Sequence, residues 1–370
     1  MTSIRILVVD DSVVIRKLLT ETLSGDIALE VVGTASDGRI ALTKISQLKP
    51  DLVTLDIEMP VMNGLEALAE IRKLRPKLPV IMFSTLTEHG AAATLDALSL
   101  GASDYATKPS DTGSFPLAIE RVRAELIPKI KALCGMATAE SPVLSAARPT
   151  SKVRPHDNAR VEIVAIGTST GGPNALAEVL PRIPKDFPVP IVVVQHMPPI
   201  FTRMLAERLA SRSAFPVEEG SNGATLSPAH VWIAPGNFHM QVVRAGLYGR
   251  LNLNQDAPEN SCRPAVDVLF RSVAKAYGAS ALAVVMTGMG SDGVRGAQEI
   301  REAGGNVIIQ DERSSVIWGM PGLVHASGLA DACYPLDQLA AEITRRVLQS
   351  RELRLHSEGK PNVRFEQTTQ

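Results

Sequence analysis

The chain has 370 residues, 45% of them hydrophobic, which is enough to fill two cores of ordinary domain size. Its formal net charge is -1, and its lysines and arginines form no concentrated block. Because nucleic acids and anionic membranes are bound by clustered cations, we expect neither a nucleic-acid partner nor membrane insertion. Three widely scattered cysteines exclude a disulfide framework or a paired zinc site and favour a reducing, cytoplasmic compartment. The first residues do not match a signal peptide, and no apolar run approaches the roughly 20 residues that span a bilayer.

Residues 5–130 alternate short apolar runs with amphipathic helical patterns. The apolar runs are RILVVD, LEVVGTA, LVTLD, VIMFST and DYATK, and a helical pattern follows each of them. This alternation predicts a flavodoxin-like α/β domain with five parallel strands, covered by helices on both faces. Ligands of such a sheet bind beyond the carboxyl ends of its strands. We assign residues 1–130 to this domain.

The composition changes across residues 131–160, which are rich in Ala, Ser, Pro and Arg and lack apolar periodicity. This segment is typical of an exposed linker. Alternation resumes over residues 161–350 and predicts a second, doubly wound α/β domain. Within it, HVWIAPGNFHMQVV followed by LYGRLNLNQ indicates an inserted β-hairpin. Residues 351–370 are polar, and we expect them to form a disordered tail.

Polar side chains with chemical potential follow several predicted strands of the first domain. Because parallel strands bring their carboxyl ends to one edge, these side chains should converge. Clustered carboxylates repel one another unless a cation lies between them, and an all-oxygen cluster suits Mg²⁺. The set also suits phosphoryl transfer to a carboxylate, with a lysine and Mg²⁺ neutralising phosphate charge. The residues are Asp10 and Asp11 after the first strand, Asp56 after the third, Ser84 on the fourth and Lys108 after the fifth.

Through VVDDS, LDIEMPVMNG, the strand-end Ser84 and TKP, residues 1–130 resemble the response-regulator receiver family. Each aspartate alone could simply cap the helix after it, but their combination with Lys-Pro favours the resemblance. It implies that Asp56 accepts a phosphoryl group from a histidine kinase. It also implies a metal site at Asp10, Asp11, Asp56 and the Glu58 carbonyl, a switch hydroxyl on Ser84, a phosphate partner in Lys108 and a rotating aromatic at Tyr105.

In the second domain, Ser169 lies in a glycine-flanked turn, GTSTGGP, between a predicted strand and a helix. Such a turn exposes the hydroxyl at the sheet edge and directs backbone N–H groups at a developing oxyanion. His196 and Asp292 follow two later strands of the same sheet. We therefore predict a nucleophile, a base and an orienting acid at one edge. Their order along the chain differs from that of the α/β-hydrolases, so that fold is not expected.

The segments GTSTGGP, QHMPP, APGNFHM, RPAVDVLF and TGMGSDG resemble the CheB family of chemoreceptor methylesterases and glutamine deamidases, over about residues 161–350. The resemblance implies that Ser169, His196 and Asp292 hydrolyse glutamyl methyl esters, with release of methanol, and deamidate glutamines on chemoreceptors during chemotactic adaptation. It further implies that Thr170 and Met289 contact the substrate or its oxyanion. We expect no cofactor in this domain.

The sequence singles out two further positions near the expected site. Cys262 precedes Arg263 and Pro264 at a point where many family members have histidine, and we expect it to pack as a small buried side chain. His239, in the APGNFHM turn, has two open roles: contact with substrate or satisfaction of a loop.

A different chemistry is also compatible with part of the second domain. Gly288 to Gly293 reads G-x-G-x-x-G between a strand and a helix, and Asp311 ends the next strand, as in dinucleotide-binding sites. That alternative leaves the Ser169 turn, His196 and the receiver unexplained. A noncatalytic DNA-binding output module would be short, basic and helical, unlike this domain.

The two domains and their linker also predict regulation. We expect the unphosphorylated receiver to pack over the active-site edge, and phosphorylated Asp56, acting with Ser84, to weaken that packing.

Overall fold

The computed structural model describes residues 3–109, 115–136, 160–246 and 248–358. Its N-terminal domain contains a five-stranded parallel sheet in the order β2-β1-β3-β4-β5. The flavodoxin-like domain is therefore confirmed. The strands are β1 (Ile4–Val9), β2 (Leu29–Ala35), β3 (Leu52–Asp56), β4 (Val80–Ser84) and β5 (Asp104–Thr107).

Helices follow the strands and cover both faces of this sheet. Alternate residues of β1 belong to different hydrophobic clusters, with Leu7 in one and Ile6 in the other, as a doubly covered sheet requires. Side chains that prefer N-cap positions begin four of the helices. The helices are α1 (Val13–Ser24), α2 (Gly38–Leu48), α3 (Gly64–Leu74), α4 (Glu88–Ser99) and α5 (Phe115–Leu133).

The C-terminal domain contains a seven-stranded parallel sheet in the order β14-β13-β12-β6-β7-β9-β8, and a separate hairpin, β10-β11. The predicted doubly wound domain with an inserted hairpin is confirmed. The strands of the sheet are β6 (Ile163–Thr168), β7 (Ile191–Gln195), β8 (Val217–Glu219), β9 (Val231–Ile233), β12 (Ala281–Val285), β13 (Asn306–Gln310) and β14 (Ala332–Tyr334). The hairpin strands are β10 (His239–Ala245) and β11 (Tyr248–Asn254).

Six helices of this domain lie in the described part of the chain, together with short 3₁₀ turns at Leu180–Arg182 and Gly278–Ser280. None of the helices that the structure describes is both long and apolar enough to cross a membrane. The six are α6 (Gly172–Val179), α7 (Phe201–Ala210), α8 (Val266–Tyr277), α9 (Val294–Glu302), α10 (Met320–Ala326) and α11 (Leu336–Glu358).

The structure differs from the sequence-based expectations at several boundaries. Strand β9, expected in the hairpin, instead pairs with β7 in the main sheet. Helix α5 continues to Leu133, past the predicted start of the linker, and residues 137–159 of that linker lie outside the described residues. Helix α11 continues to Glu358, into the segment expected to be a disordered tail, and residues 359–370 lie outside the description. The elements β8, α10 and β14 are short and carry too little periodicity to be predicted.

Strand register determines where the candidate catalytic residues lie. Thr168 at the end of β6 pairs with Gln195 at the end of β7, and Gly167 pairs with Val285 at the end of β12. The residues that follow these strands, Ser169 and His196 among them, therefore emerge at the same edge of the sheet.

Candidate active site and phosphorylation site

The acidic residues of the receiver converge as the sequence predicts. Asp10, Asp11 and Asp56 each offer a carboxylate oxygen within 4.8 Å of the others. Lys108 Nζ lies 2.9 Å from Asp10 Oδ2 and 2.8 Å from Asp56 Oδ1. Two of the carboxylates, Asp10 and Asp56, are buried, whereas Asp11 is exposed.

Burial makes the charge of this cluster costly. It raises the pKa of Asp56 to about 6, although Lys108 acts in the opposite direction, and it also raises the pKa of Asp10. Asp56 Oδ2 is buried and accepts no hydrogen bond in the part of the chain that the structure describes. An orphaned carboxylate oxygen beside two more carboxylates fits an oxygen-binding cation such as Mg²⁺.

Ser84 and Glu58 border the cavity above Asp56, whose volume is about 180 Å³. Ser84 Oγ donates to the carbonyl of Gly90 at 3.1 Å, in the first turn of α4, rather than to Asp56. The Glu58 side chain is exposed and lies 3.5 Å from His89 Nε2.

Tyr105 lies outside this cavity. It is buried at the interface between the domains, where its ring stacks on Phe201 of α7 with centroids 5.0 Å apart. Burial, followed by the charge of Asp104, raises its pKa well above the ordinary value. An aromatic side chain held this way couples the receiver directly to the second domain.

Ser169 occupies the turn between β6 and α6. Its N–H donates to Thr287 O at 3.0 Å, and its carbonyl accepts from Gly172 N at 2.8 Å and from Gln195 Nε2 at 3.0 Å. A Cβ atom at Gly172 would lie 2.0 Å from Gln195 Oε1, so this position requires glycine. These hydrogen bonds within the protein therefore hold the backbone of the turn in place before any substrate binds.

His196 and Asp292 form a hydrogen-bonded pair, with 2.7 Å between Nε2 and Oδ2. Asp292 is buried. Burial alone would raise its pKa, but the hydrogen bond and charge of His196 hold the pKa below its ordinary value. Because the imidazole is held through Nε2, Nδ1 is its remaining nitrogen.

In this structure Nδ1 of His196 faces a thiol rather than the serine. Cys262 Sγ lies 3.6 Å from Nδ1, and Ser169 Oγ has no hydrogen bond to His196 among the described residues. Burial lowers the pKa of His196, but the charge of Cys262 and the hydrogen bond to Asp292 outweigh it and raise the pKa to about 10. The sequence predicts only a packing role for Cys262, whereas in the structure Cys262 also contacts the imidazole of His196 directly.

Thr170 and Met289 are the two expected oxyanion positions. Neither backbone N–H donates a hydrogen bond to any described residue. The Thr170 side chain is engaged elsewhere: its Oγ1 donates to Asp104 Oδ2 of the receiver at 2.7 Å. The backbone donors are therefore free while the side chain beside the nucleophile is tied to the receiver.

His239 is buried in the hairpin, and its Nε2 lies 3.0 Å from the carbonyl of Ala257. This contact supports the loop role. Within the G-x-G-x-x-G segment, Asp292 is bonded to His196. Asp311 Oδ1 accepts from the N–H of Ser314 at 3.0 Å and from its hydroxyl, so this oxygen is already engaged within its own loop.

Sequence reasoning missed several residues of the site. Thr287 Oγ1 donates to the carbonyl of Thr170, and Asn260 donates to Asp292 Oδ1 at 2.9 Å. Asp267, the second residue of α8, is fully buried and accepts hydrogen bonds from the N–H groups of Gly293 and Gly296. A signal existed only for Asp267, a lone charge in the apolar run AVDVLF.

Residues of the receiver form one wall of a cavity that reaches His196. A cavity of about 480 Å³ is lined by Tyr105, Glu125 and Lys129 of the receiver and by His196, Cys262 and Arg263 among the residues of the second domain. Around it, α4 packs against α6 and α7. The polar contacts across this interface are Arg203 with Glu88, Arg208 with Asp96 and Ser99, Asn174 with the carbonyl of Leu98, and Thr170 with Asp104.

Residues 164–343 match the family described as CheB methylesterase, and residues 6–120 match the response regulator receiver domain. A protein of Trichodesmium erythraeum (strain IMS101), named protein-glutamate methylesterase/protein-glutamine glutaminase, is 53% identical over 351 residues, covering 94% of this chain and 100% of that protein. One with the same name from Nocardioides sp. (strain ATCC BAA-499 / JS614) is 51% identical, covering 95% and 97%. The crystal structure of the Thermotoga maritima CheB methylesterase catalytic domain is 42% identical, with a TM-score of 0.49, covering 50% of this chain and 98% of that one.

Fold and site together define a response regulator in which a receiver precedes an α/β effector domain. The chain belongs to the CheB family of protein-glutamate methylesterase/protein-glutamine glutaminase proteins.

The contact between Cys262 and His196 yields a first prediction. Replacing Cys262 by alanine removes the neighbour whose charge does most to raise the pKa of His196, so this pKa should fall and the imidazole should stay neutral to lower pH. NMR titration of the His196 ring measures it. Cys333→Ala is the control, because Cys333 lies on β14 at the far edge of the sheet and is exposed. An unchanged His196 pKa in Cys262→Ala would contradict the prediction.

Proposed function

We propose that the chain is a phosphorylation-activated hydrolase that demethylates glutamyl methyl esters and deamidates glutamines on chemoreceptors, with Ser169, His196 and Asp292 as its triad. One contact carries this assignment above the rest. The 2.7 Å hydrogen bond between His196 and Asp292 lies at the sheet edge where the Ser169 turn emerges. Membership of the family, supported by 53% identity over 94% of this chain, supplies the substrate class.

The chemistry follows from the atoms that remain free. His196 Nδ1 takes the proton of Ser169 as Oγ attacks the ester carbonyl, and Asp292 stabilises the resulting imidazolium. The N–H groups of Thr170 and Met289 donate to the oxyanion. Collapse of the tetrahedral intermediate releases methanol, which takes the proton from His196, and water then hydrolyses the acyl-enzyme. A glutamine amide releases ammonia by the same steps.

Three features of this structure oppose this chemistry. The raised pKa of His196, to which the charge of Cys262 contributes most, favours the protonated imidazole, and that form cannot take the serine proton. Its Nδ1 also faces Cys262, so it must turn or shift before it can reach Ser169. The receiver wall blocks the space that a receptor helix would need. Separation of the domains relieves this last obstacle.

Asp56 is the proposed phosphoryl acceptor, and a chemotaxis histidine kinase is the proposed donor. Asp10, Asp11, Asp56 and the Glu58 carbonyl would hold Mg²⁺, which when bound neutralises charge on the phosphoryl oxygens. Lys108, already 2.8 Å from Asp56, would hold one of those oxygens. We place the protein in the cytoplasm, where such kinases and the signalling parts of receptors meet.

The route from Asp56 to the interface runs through α4. Ser84 Oγ and Thr94 Oγ1 both donate to the carbonyl of Gly90, at 3.1 and 2.7 Å. A phosphoryl group on Asp56 would attract the Ser84 hydroxyl and remove one of these bonds. Because α4 also carries Glu88 and Asp96, a shift of this helix loosens the contacts to α7.

Ser169→Ala tests the nucleophile. We expect release of methanol from methylated receptor fragments to fall on the order of 10⁶-fold, because a triad without its nucleophile retains little catalysis. Ser327→Ala, at the exposed end of α10, is the matched control. A Ser169→Ala protein that retains most of its activity would exclude this triad.

Asp56→Asn tests activation. A small phosphodonor with Mg²⁺ should increase methanol release by the parent protein and not by this variant, since the amide cannot accept the phosphoryl group. Glu70→Gln, an exposed carboxylate on α3, is the control and should respond as the parent does. Activation of Asp56→Asn to the parental level would rule out Asp56 as the acceptor.

The double charge reversal Arg203→Glu and Arg208→Glu tests the closed interface. Repulsion from Glu88 and Asp96 should destabilise the closed form and raise basal methanol release about fivefold. Arg212→Glu, just beyond α7 and exposed, is the control. Unchanged basal activity in the double variant would argue against autoinhibition through this surface.

A further inference from the structure

A tight turn before α8 places the side-chain amide of Asn260 beside the His196–Asp292 pair. Glu259 and Cys262 exchange two backbone hydrogen bonds, of 3.1 and 2.9 Å. The central residues, Asn260 and Ser261, have φ values of 51° and 60°. Asparagine adopts this left-handed conformation more readily than most residues. Arg271 binds both oxygens of Glu259, at 2.8 and 2.5 Å, and ties the turn to α8.

The Asn260 side chain bridges two buried carboxylates. Its Nδ2 lies 2.9 Å from Asp267 Oδ2 and 2.9 Å from Asp292 Oδ1. An amide nitrogen has two hydrogens, one for each oxygen. The reversed amide would place its oxygen against two carboxylate oxygens, so the neighbours determine its orientation.

Asp292 is held by donors on every side. Its Oδ1 accepts from Asn260 Nδ2 and from Asp267 N, both at 2.9 Å, and its Oδ2 accepts from Val266 N at 2.6 Å and from His196. Asn260 is the only one of these donors that also binds the second acid. Without it, the carboxylates of Asp292 and Asp267 would face one another with no side-chain donor between them, and like charges in a buried site favour sharing a proton.

We propose that Asn260 is a positioning residue of the active site: its amide holds the Asp292 carboxylate against His196 and keeps the Asp267 carboxylate apart from it. This inference rests on the proposed role of Asp292 in hydrolysis. Other charged groups near the turn are Glu259, Arg271 and Arg295. Glu259 and Arg271 are paired with each other, which leaves Asn260 to separate the two acids.

Asn260→Asp is the sharpest test, because it keeps the shape of the side chain and removes the donor. Beside two carboxylates the introduced carboxyl has a raised pKa. It is therefore protonated at low pH, where its O–H restores one hydrogen bond, and ionised at alkaline pH. We expect kcat about 10- to 100-fold below the parent at mildly alkaline pH, KM within about twofold, and a deficit that shrinks as the pH falls. Asn260→Ala should show the loss of kcat without this recovery, and Ser261→Ala, in the same turn, should match the parent.

A second measurement needs no turnover. In the full chain carrying Ser169→Ala, NMR reports the proton between His196 Nε2 and Asp292. This resonance should move or broaden in Asn260→Ala and Asn260→Asp, and it should return in Asn260→Asp at low pH. If folded Asn260→Ala and Asn260→Asp both keep the resonance and the kcat of the parent, the positioning role is overturned. If the resonance responds but the parent releases no methanol, the proposed hydrolysis fails and the positioning role stands.

Discussion

A single buried carboxylate, Asp292, organises the catalytic edge of this protein. A buried charge is tolerated only when hydrogen bonds replace water, and Asp292 obtains them from the first residues of α8, from the turn before that helix and from His196. Distant parts of the sequence are thereby fixed in relation to one another. The imidazole is oriented because its partner cannot rotate, and the partner cannot rotate because every oxygen is already engaged.

The second constraint is that the receiver packs against the sheet edge that carries Ser169 and His196. Parallel strands bring the nucleophile, the base and the acid to one edge, and the receiver packs there. Thr170, the neighbour of Ser169, bonds to Asp104, and Tyr105 stacks on Phe201 a short distance away. In the proposed regulation the position of the receiver controls access to this edge, and His196 must in addition turn away from the thiol of Cys262 before it can reach Ser169.

Much of this could be predicted from the sequence, for identifiable reasons. The alternation of apolar runs with helical patterns predicts parallel sheets. Residues such as Asp56 and His196 lie at the carboxyl ends of strands, so the pattern also predicts which edge of each sheet they occupy. The contacts of Asn260 and Asp267 could not be predicted, because they depend on a left-handed turn packing against a loop about 30 residues further along the chain. The contact between Cys262 and His196 depends on the same turn. Edge strands of three residues, such as β8 and β14, carry no periodicity to detect.

The composition of the interface explains how one phosphoryl group can suffice as a signal. Its ion pairs, Arg203 with Glu88 and Arg208 with Asp96, are partly exposed, and solvent weakens such pairs. Two of its contacts are more protected: the Thr170–Asp104 bond and the stacking of Tyr105 on Phe201. A closed state held by such contacts is only weakly favoured. In the proposed activation, phosphorylation competes for one hydrogen bond at the start of α4 and adds charge, and it would thereby shift the balance towards the open form.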